Sequence, residues 1–254
     1  ANDCAQLLAS LRTSNSTTVP ALHPFEALKW PCISLPDATH VASLYAHRAI
    51  NTVHKHTSDD VSAPLSFHNS EHSFPITKVS FDSIKCASSP KRKIRVGYVS
   101  PDFTSKHPLA FLMQDVFQYH NTDQFQIFLY SLSKADVCPE VNAIRAASHQ
   151  FVEFSAGSNP QDISQKLIET DELDILIDLC GYAGTTKVAE LMAAISGRIP
   201  IVSYMGFPGS TGAPYMDYMV CDPVVVPPAL RRYYTERLIY MPHCYFVNSH
   251  KTCG

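Results

Sequence analysis

Long apolar runs, paired cysteines and glycine-rich phosphate loops are all missing from this 254-residue sequence. With no stretch of 18 apolar residues, the chain offers no candidate for a membrane-spanning helix. None of its eight cysteines forms a CxxC pair. That removes the zinc-ribbon and thioredoxin-type motifs, and the expectation is reduced thiols in the cytosol or nucleus. GxGxxG, GxSxG and P-loop patterns are absent, which leaves a dinucleotide, a serine-hydrolase elbow and a P-loop nucleotide cradle unsupported. Glycine is scarce, nine against 18 prolines, so the connections should be stiff and sharply punctuated. An excess of basic charge is lacking too: 20 Lys and Arg face 23 Asp and Glu, a net −3. A generally nucleic-acid-binding surface is not expected from that balance. The 12 histidines do not fall into a ligand pattern. His54 with His56, and His68 with His72, sit in polar segments without a matching Cys or acidic partner, so no metal site is expected. The opening ANDCAQLLASLRTSNSTT has neither a basic start nor a long apolar stretch, hence no signal peptide is expected, and a start on Ala points to an incomplete sequence.

What is present changes character near Lys91. Upstream, Val41, Leu44, Tyr45, Ala49 and Val53 recur at steps of three and four and predict an amphipathic helix over 37–56. Its polar face carries His47, Arg48, His54 and Lys55. A shorter helix is expected in DCAQLLASL, and 57–92 shows no sustained period and reads as a linker. From residue 93 onward, short apolar runs alternate with helical spacing. Strands are expected at 94–99, 125–132, 149–154, 173–179 and 199–205, followed by 216–222 and 237–242. Helices are expected at 107–120, 139–149, 159–171 and 185–196. Continuous apolar strands separated by helices imply an α/β fold, a doubly wound, Rossmann-like lobe over 93–254 preceded by a helical region over 1–56.

Ligands of such sheets sit beyond the carboxyl ends of the strands, so the loops there carry the chemistry. The first runs Ser100-Pro101-Asp102-Phe103-Thr104-Ser105-Lys106-His107. A carboxylate and an imidazole flank one short turn, and either can accept a hydroxyl proton. Asp102 as a turn or N-cap residue and His107 as an ordinary residue before Pro108 is the structural alternative. The loop after the fifth strand places Gly206, Gly209 and Gly212 at spacing three with Pro208 between them. Glycine there lets backbone approach a ligand, and a tight strand-to-strand loop is the plain alternative. Gly181 and Gly184 carry the same two readings.

Taken in order, these segments resemble the N-terminal catalytic lobe of the nucleocytoplasmic protein O-GlcNAc transferases (glycosyltransferase family 41), enzymes of GT-B architecture. The strings that carry the likeness are IRVGYVSPDF with KHPLAFLM, DILIDLCGY, VSYMGFPGSTGAPYMDYMVCD and YTERLIYMPHCYF. LHPFEALKWP and the helix through His47 and Arg48 resemble the region linking that family's tetratricopeptide repeats to its catalytic lobe.

The resemblance implies inverting transfer of N-acetylglucosamine from UDP-GlcNAc to Ser or Thr hydroxyls of intracellular proteins, without a metal or other cofactor. Protein substrates and a nucleotide sugar are the implied partners, with no nucleic acid and no membrane. His23 matches a histidine proposed as proton acceptor, Asp102 the aspartate alternatively considered as base, and His107 a histidine beside the reacting groups. Met205, Gly206 and Pro208 fall on the loop lining the sugar pocket. The sequence departs from the family in a longer Asp102–His107 turn, in Lys106 where Asn is usual and in Phe111 where a second histidine often stands. The second, UDP-binding lobe is expected to be absent from this chain, which would then be inactive alone. A protein O-fucosyltransferase of the same scaffold and a non-catalytic module binding Ser/Thr-rich peptides are the competing expectations.

Overall fold

The computed structural model describes residues 9, 10, 13, 22–57, 92–155, 157–183 and 186–249. The expected helix DCAQLLASL lies largely outside the described residues, as do nearly all of the 57–92 linker and Gly184. Two helices precede the sheet: α1, Pro24–Ala27, and α2, Leu35–Thr57. The sheet has seven strands: β1 Ile94–Ser100, β2 Phe125–Ser131, β3 Gln150–Glu153, β4 Ile175–Asp178, β5 Ile201–Ser203, β6 Tyr218–Cys221 and β7 Arg237–Tyr240. Between them lie α3 Pro108–Met113, α4 Pro139–Ala146, α5 Pro160–Gln165, which runs on into a π turn at Lys166–Thr170, and α6 Thr186–Ile195.

All strands are parallel and lie in the order β3-β2-β1-β4-β5-β6-β7. Strand order reverses between β1 and β4, which makes their carboxyl ends the topological switch point. Alternation along the strands divides the core into two layers. Val96, Tyr98, Ile127 and Leu129 pack with Leu109 and Met113 of α3 and Val141 and Ile144 of α4. Val99, Phe128, Tyr130, Leu176 and Ile201 pack with α5, α6 and Ala46 of α2. Gly97 makes room in β1 for the Leu173 side chain, whose Cδ1 a Cβ would meet at 2.5 Å.

The doubly wound lobe expected from the sequence is therefore the one observed, with two differences of detail. The helix expected over 107–120 ends at Met113, and the chain tightens into i→i−3 bonds through a 3-10 turn at Phe117–Tyr119. This turn buries Phe117 against Tyr98 and Phe103, at ring separations of 5.1 and 6.5 Å. Second, α2 is packed directly on the lobe. The β5–β6 connection, 204–217, contains no helix, and α2 covers it. A Cβ on Gly212 would stand 2.7 Å from both Ser43 N and Thr39 O of α2. An upstream helix thus occupies the layer that a crossover helix normally fills in a parallel sheet. Among the described residues no helix is long and apolar enough to cross a membrane.

Candidate active site

The turn after β1 is built by its neighbours. Ser100 Oγ accepts the Asp102 N–H at 3.0 Å, Ser133 Oγ donates to Pro101 O, and Ser105 N–H and Oγ both donate to Asp136 Oδ2, at 2.8 and 2.6 Å. Held this way, Asp102 faces His107, whose Nδ1 lies 4.0 Å from its Oδ2. Burial raises the Asp102 pKa, while His107 and the Ser100 hydroxyl oppose the rise. Asp102 is not an N-cap. That role belongs to His107, whose Nδ1 accepts the Leu109 N–H at 3.3 Å at the start of α3.

His23 repeats the device. It caps α1 through Nδ1, which accepts the Phe25 N–H at 3.3 Å. In both places proline follows at the first helical position, where its missing N–H leaves nothing unsatisfied. The His23 ring stands edge-on to Tyr45 at 5.3 Å, and burial lowers its pKa against the opposing pull of Glu26. The same apolar cluster carries α1 onto the loop after β5: Phe25 meets Phe207 at 6.3 Å, and Leu28 lies under Gly209.

In that loop Met205 takes φ +69°, a left-handed backbone that costs a non-glycine residue about 1–3 kcal/mol. Gly206 follows it directly above β4, where a Cβ would stand 2.2 Å from Leu179 O. Met205 is buried, Gly206 half-buried and Pro208 exposed. The loop can lie against the backbone that follows β4 only because residue 206 has no side chain.

The structure adds residues that the motifs did not single out. Asp178 closes β4 at the switch point, opposite Val99 of β1. It is 2% exposed, and its Oδ1 accepts the Cys180 and Gly181 N–H groups at 2.8 and 3.0 Å. Burial pushes its pKa up to about 6, with the two N–H bonds opposing and the charge of Asp102 adding to the rise. The Tyr182 hydroxyl lies near both Ala42 O of α2, at 3.0 Å, and Thr211 O, at 3.1 Å, joining the upstream helix to the loop after β5. Asp178, Tyr182, Thr211 and Tyr215 share the lining of a small cavity under this junction. An acidic residue ending an otherwise apolar run was the available signal for Asp178; nothing in the local sequence marks Tyr182. Asp102 and His107 are thus in one turn, His23 and Met205–Pro208 are joined through the α1 and α2 aromatics, and Asp178 adjoins Asp102. Among the described residues no three His, Cys, Asp or Glu side chains form a metal-binding group.

Known proteins are similar to this chain in sequence and in fold. A probable UDP-N-acetylglucosamine-peptide N-acetylglucosaminyltransferase, SEC, of Arabidopsis thaliana is 44% identical over 161 residues, covering 63% of this chain and 16% of its own length. A UDP-N-acetylglucosamine-peptide N-acetylglucosaminyltransferase of Caenorhabditis elegans is 34% identical over 161 residues, 63% of this chain and 14% of its own. The chain therefore spans about a sixth of these relatives. A solved O-GlcNAc transferase mutant of Thermobaculum terrenum superposes with a TM-score of 0.57 at 19% identity, covering 96% of this chain and 42% of that one, which establishes a shared fold. The family model described as Glycosyl transferase family 41 matches residues 40–253, and the chain belongs to that family.

Proposed function

We propose that this chain forms the acceptor-side lobe of a protein O-GlcNAc transferase, which moves N-acetylglucosamine from UDP-GlcNAc to Ser or Thr hydroxyls of proteins with inversion. The observation that carries this reading is the pairing of Asp102 and His107 at the switch point of a family 41 lobe. An in-line displacement needs the acceptor oxygen held against the anomeric carbon and a base for its proton.

Asp102 suits the base. It is a carboxylate held in a partly buried turn, and desolvation makes it more proton-hungry than a surface aspartate. The two histidines suit a different task. Each has its Nδ1 lone pair occupied by a backbone N–H, so a neutral ring carries its proton on Nε2 and offers a donor there. His23 and His107 then orient substrate oxygens, and Asp102 receives the proton directly or through water. Met205, Gly206 and Pro208 form the sugar-side wall. The departing UDP needs cationic or N–H donors at its phosphates. By the resemblance those come from a second lobe, with no metal ion taking part. Among the described residues Cys138, Cys221 and Cys244 are unbridged thiols, which supports cytosol or nucleus as the compartment.

The test is transfer by the intact protein to Ser/Thr peptides, with UDP-GlcNAc and GDP-fucose offered separately. UDP-GlcNAc should be used, and Asp102→Asn should cut kcat by roughly 10²–10⁴-fold. Turnover of Asp102→Asn within threefold of wild type sinks the role of Asp102. Transfer from GDP-fucose alone makes the protein a fucosyltransferase, and peptide binding without turnover from either donor makes it a binding module.

A further inference from the structure

The chain leaving β5 must return from the carboxyl edge of the sheet to the amino edge before β6 can run parallel, and 204–217 does so without a helix. Such a connection has no ladder, so each buried polar group needs its own partner. On the returning limb much of that need is met by Glu236, the residue just before β7, which is 5% exposed. Ser210 Oγ donates to its Oε2 at 2.8 Å, the Thr211 N–H donates to Oε1 at 2.6 Å, and the Thr211 hydroxyl donates to the same Oε1. Both hydroxyls also accept. Ser210 Oγ accepts the Gly212 N–H at 3.2 Å and the Thr235 N–H at 3.3 Å and lies 3.2 Å from Thr235 Oγ1, and Thr211 Oγ1 accepts the Ala213 N–H at 3.3 Å. The groups that donate to Glu236 are neutral N–H and O–H groups.

We propose that Glu236 is a positioning residue for the sugar-side loop, fixing Met205–Ala213 on the one path that seats Gly206 and Pro208 at the carboxyl edge. The loop's substrate rests on the transferase reading above; the clamp itself does not. The two ends of the loop show why a clamp is needed. Met205 holds a strained backbone, and such a residue persists only where its surroundings over-determine it. Gly206 touches the backbone that follows β4, at Leu179 and Cys180, and Gly212 the α2 backbone, so neither end tolerates displacement. Glu236 supplies the polar part of that constraint, reaching the loop from a position 25 residues beyond Thr211 in sequence. Only an acceptor fits there. The Ser210 lone pairs are already taken by two N–H groups, so an amide –NH2 facing Ser210 would set donor against donor.

Two measurements test this. In the chain itself, Glu236→Gln should speed amide hydrogen exchange at Thr211, Gly212 and Ala213 by about 10–100-fold and leave Leu129 in β2 unchanged. In the intact transferase, the same substitution should raise KM for UDP-GlcNAc about tenfold while kcat falls less than threefold, the signature of lost donor seating. Exchange at 211–213 within twofold of wild type overturns the clamp. Faster exchange with an unchanged KM, or a loss confined to kcat, overturns the positioning role. If Glu236→Gln does not fold, Ser210→Ala and Thr211→Val each remove one hydroxyl donor and are read by the same exchange and the same limits. A wild-type protein without transfer from UDP-GlcNAc refutes the transferase reading, and the exchange measurement still decides the clamp.

Discussion

From β1 to β3 each crossover carries a helix of its own, α3 and then α4, and apolar side chains such as Leu129, Met113 and Ile144 close the layer between helix and strand. From β5 to β7 neither crossover holds an α-helix: 204–217 is irregular and 222–236 has only a 3-10 turn at Pro228–Tyr233. In that half, carboxylates, Glu236 and Asp222 buried and Asp217 half-buried, take over much of the local ordering. Glu236 gathers Ser210 and Thr211, Asp222 accepts the N–H groups of Val224, Val225 and Tyr245, and Asp217 accepts the Ile201 N–H. Apolar packing is non-directional and tolerates small shifts, whereas a carboxylate bonded to specific N–H groups fixes a path. The side that carries the loop after β5 uses the directional kind, and it uses backbone contact where the other side uses side-chain contact.

Paired glycine substitutions give the largest expected contrast. At Gly206 a new Cβ meets the carbonyl oxygen of Leu179 and the Cα of Cys180, backbone just after β4 that cannot move aside. Gly206→Ala should cost at least ~3 kcal/mol, lowering Tm by about 6–12 °C in a domain of this size. At Gly97 the Cβ meets the ends of Leu173, Tyr130 and Leu176 side chains, which can give. Gly97→Ala should therefore cost only about 1–3 kcal/mol. Calorimetry of the two variants measures the difference, and equal costs would erase the distinction between the halves.

Next in size is the pH dependence at the junction. Asp178 has its folded pKa raised to about 6, so the folded state binds more protons than the unfolded one between the ordinary Asp range and pH 6. The contribution of Asp178 to stability then falls as pH rises through that window and levels off above it, whereas the lowered Asp136 and Asp222 act in the opposite direction. Asp102, also raised, acts in the same direction as Asp178. Asp178→Asn keeps an acceptor for Cys180 and Gly181 but cannot titrate. The stability gap between variant and wild type should shift in the variant's favour by up to ~3 kcal/mol from pH 4 to pH 7. Denaturant titrations at the two pH values check this. Leu129→Ala, in the apolar half, should cost about 2–5 kcal/mol at both.

The smallest effect separates capping from chemistry at His107. Asn can mimic Nδ1 as a cap, while Gln reaches further and resembles the Nε2–H. His107→Asn should hold Tm within about 1 kcal/mol equivalents of wild type, and His107→Gln should lose up to ~1 kcal/mol of cap. Transfer should rank the other way, with Gln above Asn. Identical rankings by stability and by rate would remove the donor role from His107.

Much of the first half was legible in the sequence, because helix and strand periods report which face is buried and β1 to β5 obey them. The turn bearing Asp102 and His107 was legible for the same reason: strand, turn and proline-led helix fix its place. In the second half β6 and β7 fall within the expected 216–222 and 237–242, but what orders the connections between the strands was not legible. The amphipathic period of α2 is plain through Val41, Ala49 and Val53, but no local pattern says that it covers a connection some 170 residues later. Asp178 and Glu236 escaped for a related reason. A carboxylate that serves backbone N–H groups and hydroxyls gets its meaning from tertiary position, and Thr-Glu-Arg before β7 looks like any polar turn.

That α2 lies where a crossover helix belongs has a consequence for how the lobe could be taken apart. Residues 22–57 and 92–249, produced as separate polypeptides, would form a natural split-protein pair. The larger piece would present an uncovered groove beside Gly212 and a Tyr182 hydroxyl without its Ala42 contact, and the smaller would bring the helix that fits them. Anything that pulls on the N-terminal side of α2 is, through Tyr182 and Gly212, pulling on the loop after β5 itself.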